Sequence, residues 1–386
     1  VYIAQSLFPF ESEFSVCRAA FGVFVAWFLA RPIGGVFFGC IGDKKSRSTA
    51  LALSALLMGL PTVGIALLPS YVMIGVMAPL LLVVFRIMQG IAIGGQYSGS
   101  VVILIEAENT VLGKAKASAN VIASAFGGIL LAIITFQLIR YFLPEEFMAN
   151  GGWRILFAIA ILLVVLSFFI KHNGESEEKP KSDTKLTTLV FNNLGSIFFV
   201  ILLCFPGAIV AYFQITILPN IIKQVLGFEN VNVAILTTIS LVVFVISCLL
   251  SARLTKFFTI KTVIAAGLVL MVFLPLPVYY IYKMNSELLI AFFVVMGAIF
   301  GVFYGSIMAI FAESFPKEIR YSGFALAYNI GFGIYGGLLP FLCFYLAENI
   351  SDYMAIAMIP ISAIVGLITL YTLEPKSCKE ALGKGV

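Results

Sequence analysis

Two arginines sit where lipid tolerates few charges. Arg86 lies within the apolar stretch Leu82–Glu106, long enough to cross a bilayer, and Arg31 lies about thirteen residues into a second apolar stretch. At ~1.5 Å per residue, Arg31 is ~20 Å deep. An ionised side chain on a membrane helix turns inward, toward partners or a water-filled cavity. A guanidinium offers a planar fork that binds carboxylate bidentately. Arg31 is therefore either an anchor for a solute carboxylate or a structural group bonded to a neighbouring span. Arg86 and Gln89, three residues apart, face the same way on a helix. Gln96 lines the same cavity; its neutral amide can bind a solute but carries no proton. Farther along, Tyr212 and Gln214, and then Tyr328 and Asn329, are polar residues among apolar ones. They are candidates for the opposite wall of that cavity, the alternative being packing or interfacial anchoring.

None of the 19 Asp and Glu residues falls deep within a complete apolar stretch. Proton-coupled transport usually needs a carboxylate or histidine that titrates in the cavity. Three readings stay open. The group precedes Val1, an edge residue such as Glu106 serves, or no proton is coupled. His172 is the only histidine, and the six cysteines show no C-x-x-C spacing, so no metal site is expected. No G-x-x-x-x-G-K-[ST] loop occurs, which argues against ATP-driven pumping. No clustered nucleophile and base suggests an enzyme, and no ring of like charges or filter-like loop suggests a channel.

These residues must be held by membrane helices. The chain of 386 residues is 61% hydrophobic and 11% charged, with mean hydropathy +1.08. A soluble domain runs nearer half apolar and a quarter charged. The class is all-α polytopic membrane protein. Val1–Phe10 reads as the tail of a first span, whose earlier half lies outside this sequence. Ten residues cannot cross ~30 Å of hydrocarbon. Whole spans follow at about 14–41, 49–70, 76–106, 117–142, 152–171, 190–222, 231–252, 262–283, 287–312, 322–347 and 352–373. That makes six spans over 1–171, a polar linker at 172–189, six spans over 190–373 and a tail at 374–386.

Seventeen Lys and Arg residues fall on the side of the linker and the tail, against five on the other. The positive-inside rule makes that side cytoplasmic. The net charge of +5 is thus a matter of topology, and no nucleic-acid partner is implied. A weak repeat links the halves. The fourth span ends in Glu106 and is followed by Gly127-Gly128; the tenth is followed by Glu313 and then Gly336-Gly337. Transporters built from repeats show such matching signals.

Three segments carry a family resemblance. Arg31-Pro32-Ile33-Gly34-Gly35, continuing through Gly39, Gly42-Asp43 and Arg47, is similar to an "RPxGG…GxxGDrxGR" pattern. Arg86-x-x-Gln89-Gly90 with Gly94-Gly95 is similar to "RxxQGxxxGGE". Ala312-Glu313-x-Phe315-Pro316 with Arg320-Tyr321-Ser322-Gly323 and Tyr328-Asn329 is similar to "AExFPtrvRysG…YN". The sequence resembles the major facilitator superfamily, and within it the metabolite:proton symporters such as the proline/betaine and α-ketoglutarate permeases. It departs from the pattern at Gln96, where glutamate is usual, and at Ser46, where glycine is usual. The second-half copy of the first loop, Ser251–Lys256, has lost its acidic residue.

The resemblance implies a twelve-helix fold of two six-helix bundles in a bacterial inner membrane. It implies a monomer that needs no cofactor and takes up a small polar organic solute, a zwitterion or a carboxylate, with the proton as coupling ion. The alternatives are an exporter of a metabolite or drug, or an uncoupled facilitator. Arg86 would take part in coupling, with a hydrogen-bond clamp as the alternative. Asp43 with Arg47 would latch a gate, the plainer reading being an ordinary charged loop. Glu106, Glu313 and Arg320 would form cytoplasmic-end ion pairs that differ between states.

Overall fold

The structure is a computed structural model that describes residues 2–8, 13–169, 192–222, 233–284 and 286–382. The linker expected at 172–189 lies outside them. Among the described residues there is helix and no strand. In chain order the principal helices are α1 (Tyr2–Leu7), α2 (Glu13–Lys44), α3 (Arg47–Leu67), α4 (Met77–Glu106), α5 (Val111–Phe142), α6 (Arg154–Phe169), α7 (Leu194–Tyr212), α8 (Val233–Leu254), α9 (Ile260–Phe273), α10 (Leu289–Tyr304), α11 (Arg320–Asn349), α12 (Asp352–Thr372) and α13 (Lys376–Leu382). Nine of the described helical stretches are long and apolar enough to cross a membrane. With α1, α2 and α6 they stand at the twelve positions read from the sequence.

Short polar signals start three of the helices. Ser46 accepts from the Thr49 amide at α3, Thr259 from Thr262 at α9, and Ser351 from Tyr353 at α12. Each serves one of the amides that a helix N-terminus leaves without an internal partner.

The chain packs as two compact units, one of residues 1–99 and 134–181, the other of 100–133 and 182–386. In the first, glycines bring α2 and α4 backbone to backbone. A Cβ at Gly34 would strike the Ile91 carbonyl, one at Gly90 the Trp27 carbonyl, and one at Gly94 the Arg31 carbonyl. Lipid tails are as apolar as leucine, so close approach of small residues replaces hydrophobic burial as the force joining helices. Arg154 donates to the Leu68 carbonyl at 2.7 Å while lying 4.4 Å from the Trp153 ring centroid, tying α6 to the end of α3.

The second unit uses the same device. Gly297, Gly301 and Gly305, four residues apart on the tenth span, seat against Ser240, Ser247 and Phe244, and Ser251 and Cys248 of α8. The pair α4 on α2 in one unit and the pair α10 on α8 in the other pack through the same kind of glycine contact. Two helices of this unit depart from regular geometry. A π-helical turn, Phe213–Ile217, extends α7, and α10 breaks at Gly305-Ser306 before resuming as a half-helix, Ile307–Glu313.

Candidate functional site

The densest charge constellation is in the second unit. The Arg320 Nη1 is 3.1 Å from Glu106 Oε1, its Nη2 is 2.8 Å from Glu313 Oε2, and its Nε donates to the Phe315 carbonyl at 3.2 Å. The Lys114 Nζ lies 2.7 Å from Glu313 Oε1. The Glu313 side chain is 2% exposed and Arg320 7%. Two acids and two bases make the cluster neutral.

Local structure places each member at a helix end. Glu106 closes α4, and Lys114 stands in the first turn of α5 after a short turn at 107–110. Glu313 closes the half-helix, and Arg320 opens α11 after the turn at Ser314–Pro316. A helix favours anions at its N-terminus and cations at its C-terminus. All four residues stand the other way round: acids at C-termini, bases at N-termini. Each is poorly placed with respect to its own helix and is stabilised by the others. Such a set gains nothing from its helices when it separates, so the pairing itself is what holds these helix ends together.

Ser118 of α5 adds a neutral tie. Its hydroxyl donates to the Gly305 carbonyl at 2.9 Å and accepts from the Met308 amide at 3.1 Å. It thereby serves a carbonyl and an amide at the α10 break, and it is fully buried. Nearby, Phe126 of α5 packs on Phe244 of α8 at 4.5 Å and on Tyr304 at 6.1 Å between ring centroids.

A contrasting pair joins the helix Pro275–Met284, which follows α9, to the start of α12. Asp352 Oδ2 accepts from Lys283 Nζ at 2.6 Å and from the Tyr279 hydroxyl at 2.7 Å. Asp352 opens α12, so here charge and helix dipole agree.

The short helix α13 lies against the half-helix. Ser377 donates to the Ser314 carbonyl at 2.9 Å, and Lys261 pairs with Glu374 at 2.5 Å. Burial, with the Glu374 and Glu313 carboxylates nearby, pushes the Cys378 thiol up to about 12.

In the first unit the structure joins Arg86 and Gln89 as their spacing predicts. Arg86 Nη1 donates to Gln89 Oε1 at 3.2 Å, and Gln89 Nε2 donates to the Thr62 hydroxyl of α3 at 3.1 Å. Arg31 is buried, its guanidinium 5.3 Å from the Trp27 centroid and 5.7 Å from that of Phe28. Gln96 is half-buried two helical turns beyond Gln89. Asp43 and Arg47 are both buried and 3.9 Å apart across the turn between α2 and α3.

In the second unit, Gln214 lies in the π turn, donates to the Val210 carbonyl at 3.3 Å and accepts from Ser240 at 3.0 Å. Tyr212 is half-buried just before it. Asn329 donates to the Ala325 carbonyl of its own helix at 2.7 Å. Tyr328 stacks within an aromatic row, 4.5 Å from Phe332 and 5.4 Å from Phe324. The sequence reading missed Lys114, Ser118 and Ser240. Lys114 stood in the topology count alone; its position in the first turn after Glu106 was the available signal. The two serines carry no motif. Among the described residues no group of His, Cys, Asp and Glu is placed to hold a metal.

The family profile described as Major Facilitator Superfamily matches residues 2–256 and 200–384. A putative proline/betaine transporter of Staphylococcus haemolyticus is 29% identical, covering 92% of this chain and 78% of its own length. The glycine betaine/proline/ectoine/pipecolic acid transporter OusA of Dickeya dadantii is also 29% identical, covering 95% of this chain and 77% of its own. Among solved structures, the proton:xylose symporter XylE bound to 6-bromo-6-deoxy-D-glucose aligns with a TM-score of 0.77 at 16% identity, covering 96% of this chain and 88% of that one. At that identity the likeness is one of fold.

Proposed function

We propose that this chain, which belongs to the major facilitator superfamily, is a secondary transporter that takes up a small zwitterion of the betaine or proline kind, driven by protons. The names of its sequence relatives support the solute class. The observation that carries the mechanism is the neutral cluster of Glu106, Lys114, Glu313 and Arg320, set against its own helix dipoles. Alternating access needs a closure that holds in one state and is released in the next. In this reading the halves 1–171 and 190–373 rock about a midplane site, and the cluster closes the cytoplasmic end. The excess of Lys and Arg supports that orientation, with the linker and C-terminus in the cytoplasm. The cluster belongs to the inward-closed state and parts when the path opens inward. The transporter works as a monomer in a bacterial inner membrane.

Arg31 is the carboxylate anchor in this account, its guanidinium lying over the Trp27 ring. Gln96 adds a polar contact. Gln214 and Asn329 already bond to backbone, so they shape the opposite wall with Tyr212 and Tyr328 while Arg31 sets specificity. The Arg86–Gln89–Thr62 chain couples α4 to α3, and Asp43 with Arg47 latches the turn between α2 and α3.

Uptake of labelled betaine, proline and dicarboxylates into proteoliposomes, with and without an inward proton gradient, tests the reading. Gradient-dependent accumulation of betaine or proline is expected. Equilibration unaffected by the gradient would make the protein a facilitator, and outward flux alone would make it an exporter.

A further inference from the structure

Along the C-terminal half of α2 runs a groove of about 680 Å³, lined by Ile33, Val36, Phe37, Cys40 and Ile41 and ending at Lys44 and Lys45. Ile33 and Phe37 are more than half exposed, and both lysines are exposed. We propose that this groove binds one anionic phospholipid, with an acyl chain along the apolar stripe and the headgroup phosphate on the two lysines.

Three features support a lipid. The lining residues recur every three or four positions, so they form one continuous stripe on a helix. From position 33 to the helix end at 44 the helix advances roughly 16 Å at 1.5 Å per residue, close to one leaflet of a ~30 Å hydrocarbon core. An acyl chain therefore fits the stripe from mid-membrane to the headgroup level. The charge is at one end only, and it is the end where a headgroup would lie.

The site is separate from the carboxylate anchor and from the four-charge cluster. It adjoins the turn between α2 and α3, where Asp43 and Arg47 pair, so a bound headgroup would brace that turn from outside.

Each lysine near an anionic lipid surface contributes roughly 1 kcal/mol, so two give about 30-fold preference for an anionic over a zwitterionic headgroup. The test uses the purified protein in mixed micelles, with phosphatidylglycerol and phosphatidylcholine of matched chains, and counts retained lipid by native mass spectrometry. One retained phosphatidylglycerol at about 30-fold preference is expected. The double variant Lys44→Gln/Lys45→Gln should remove the preference while leaving the melting temperature unchanged. Val36→Trp, which fills the groove, should reduce retention of both lipids. Equal retention of the two lipids by the unaltered protein would overturn the proposal. So would an unchanged preference in the double variant, or displacement of the lipid by millimolar inorganic phosphate.

Discussion

Replacing Glu313 with Gln should move the protein out of the state described above without unfolding it. The substitution keeps size and shape but removes the charge that holds both Arg320 at 2.8 Å and Lys114 at 2.7 Å. Glu106 stays with Arg320, so the buried cluster goes from neutral to one excess positive charge. Removing one partner of a buried pair costs about 3–5 kcal/mol, because the remaining charge stays desolvated. Gln can still accept a hydrogen bond, which places the cost near the lower end, about 3 kcal/mol. At 1.4 kcal/mol per tenfold, that is roughly 100-fold in the balance between closed and open states. A protein about 99% closed would become nearly evenly divided. Lys116 and Glu318 are exposed near the two sides of the cluster. Spin labels on cysteines at these positions, in a background free of other cysteines, report the distance by double electron–electron resonance. A single narrow distribution is expected for the parent, and a second, longer one of comparable population for Glu313→Gln. Asp352→Asn is the control. It breaks the dipole-favoured pair between Lys283 at the end of the helix Pro275–Met284 and Asp352 at the start of α12, so it should lower stability and leave this distance unchanged. An unaltered distribution in Glu313→Gln would refute the argument from opposed dipoles.

Ser118→Ala strips one carbonyl and one amide at the α10 break of their partner, at about 1–3 kcal/mol per buried group; the same labels should show a partial shift to the longer distance, with Ser118→Thr retaining the parent pattern. Gly94→Leu drives a side chain into the Arg31 carbonyl and separates α2 from α4, beyond the 1–3 kcal/mol typical of overpacking; size-exclusion chromatography should show loss of monodisperse protein. Cys378, with its thiol pushed up to about 12, carries about 10⁻⁴ thiolate at pH 8. N-ethylmaleimide should leave it unmodified in the folded protein and label it on denaturation, as read by peptide mass.

Much of the cluster was legible because charges are rare in these helices. Glu106, Glu313 and Arg320 stand at the ends of apolar runs, where an ionised group is informative by its presence. Lys114 was overlooked because a cation near the membrane surface already has a sufficient topological reason. Inward and outward faces were much harder to read. In water an apolar stripe marks the core, but in lipid both faces of a helix are apolar and the periodicity vanishes. Gln214 and Asn329, expected at the cavity wall, each donate to a carbonyl one turn back, and Gln214 also accepts from Ser240 of α8. The seating of Gly297, Gly301 and Gly305 on α8 needed the fold. Nothing local announces the break at Gly305-Ser306, since the groups that satisfy it come from Ser118, far away in sequence.

The central claim is that the ends bearing the four charges must part in every transport cycle. The most direct measurement joins cysteines at 116 and 318 with a short methanethiosulfonate cross-linker, verifies the link by mass, and follows betaine uptake into proteoliposomes. The account predicts that uptake stops when the link forms and returns when it is reduced. Full-rate uptake through the cross-linked protein would contradict it.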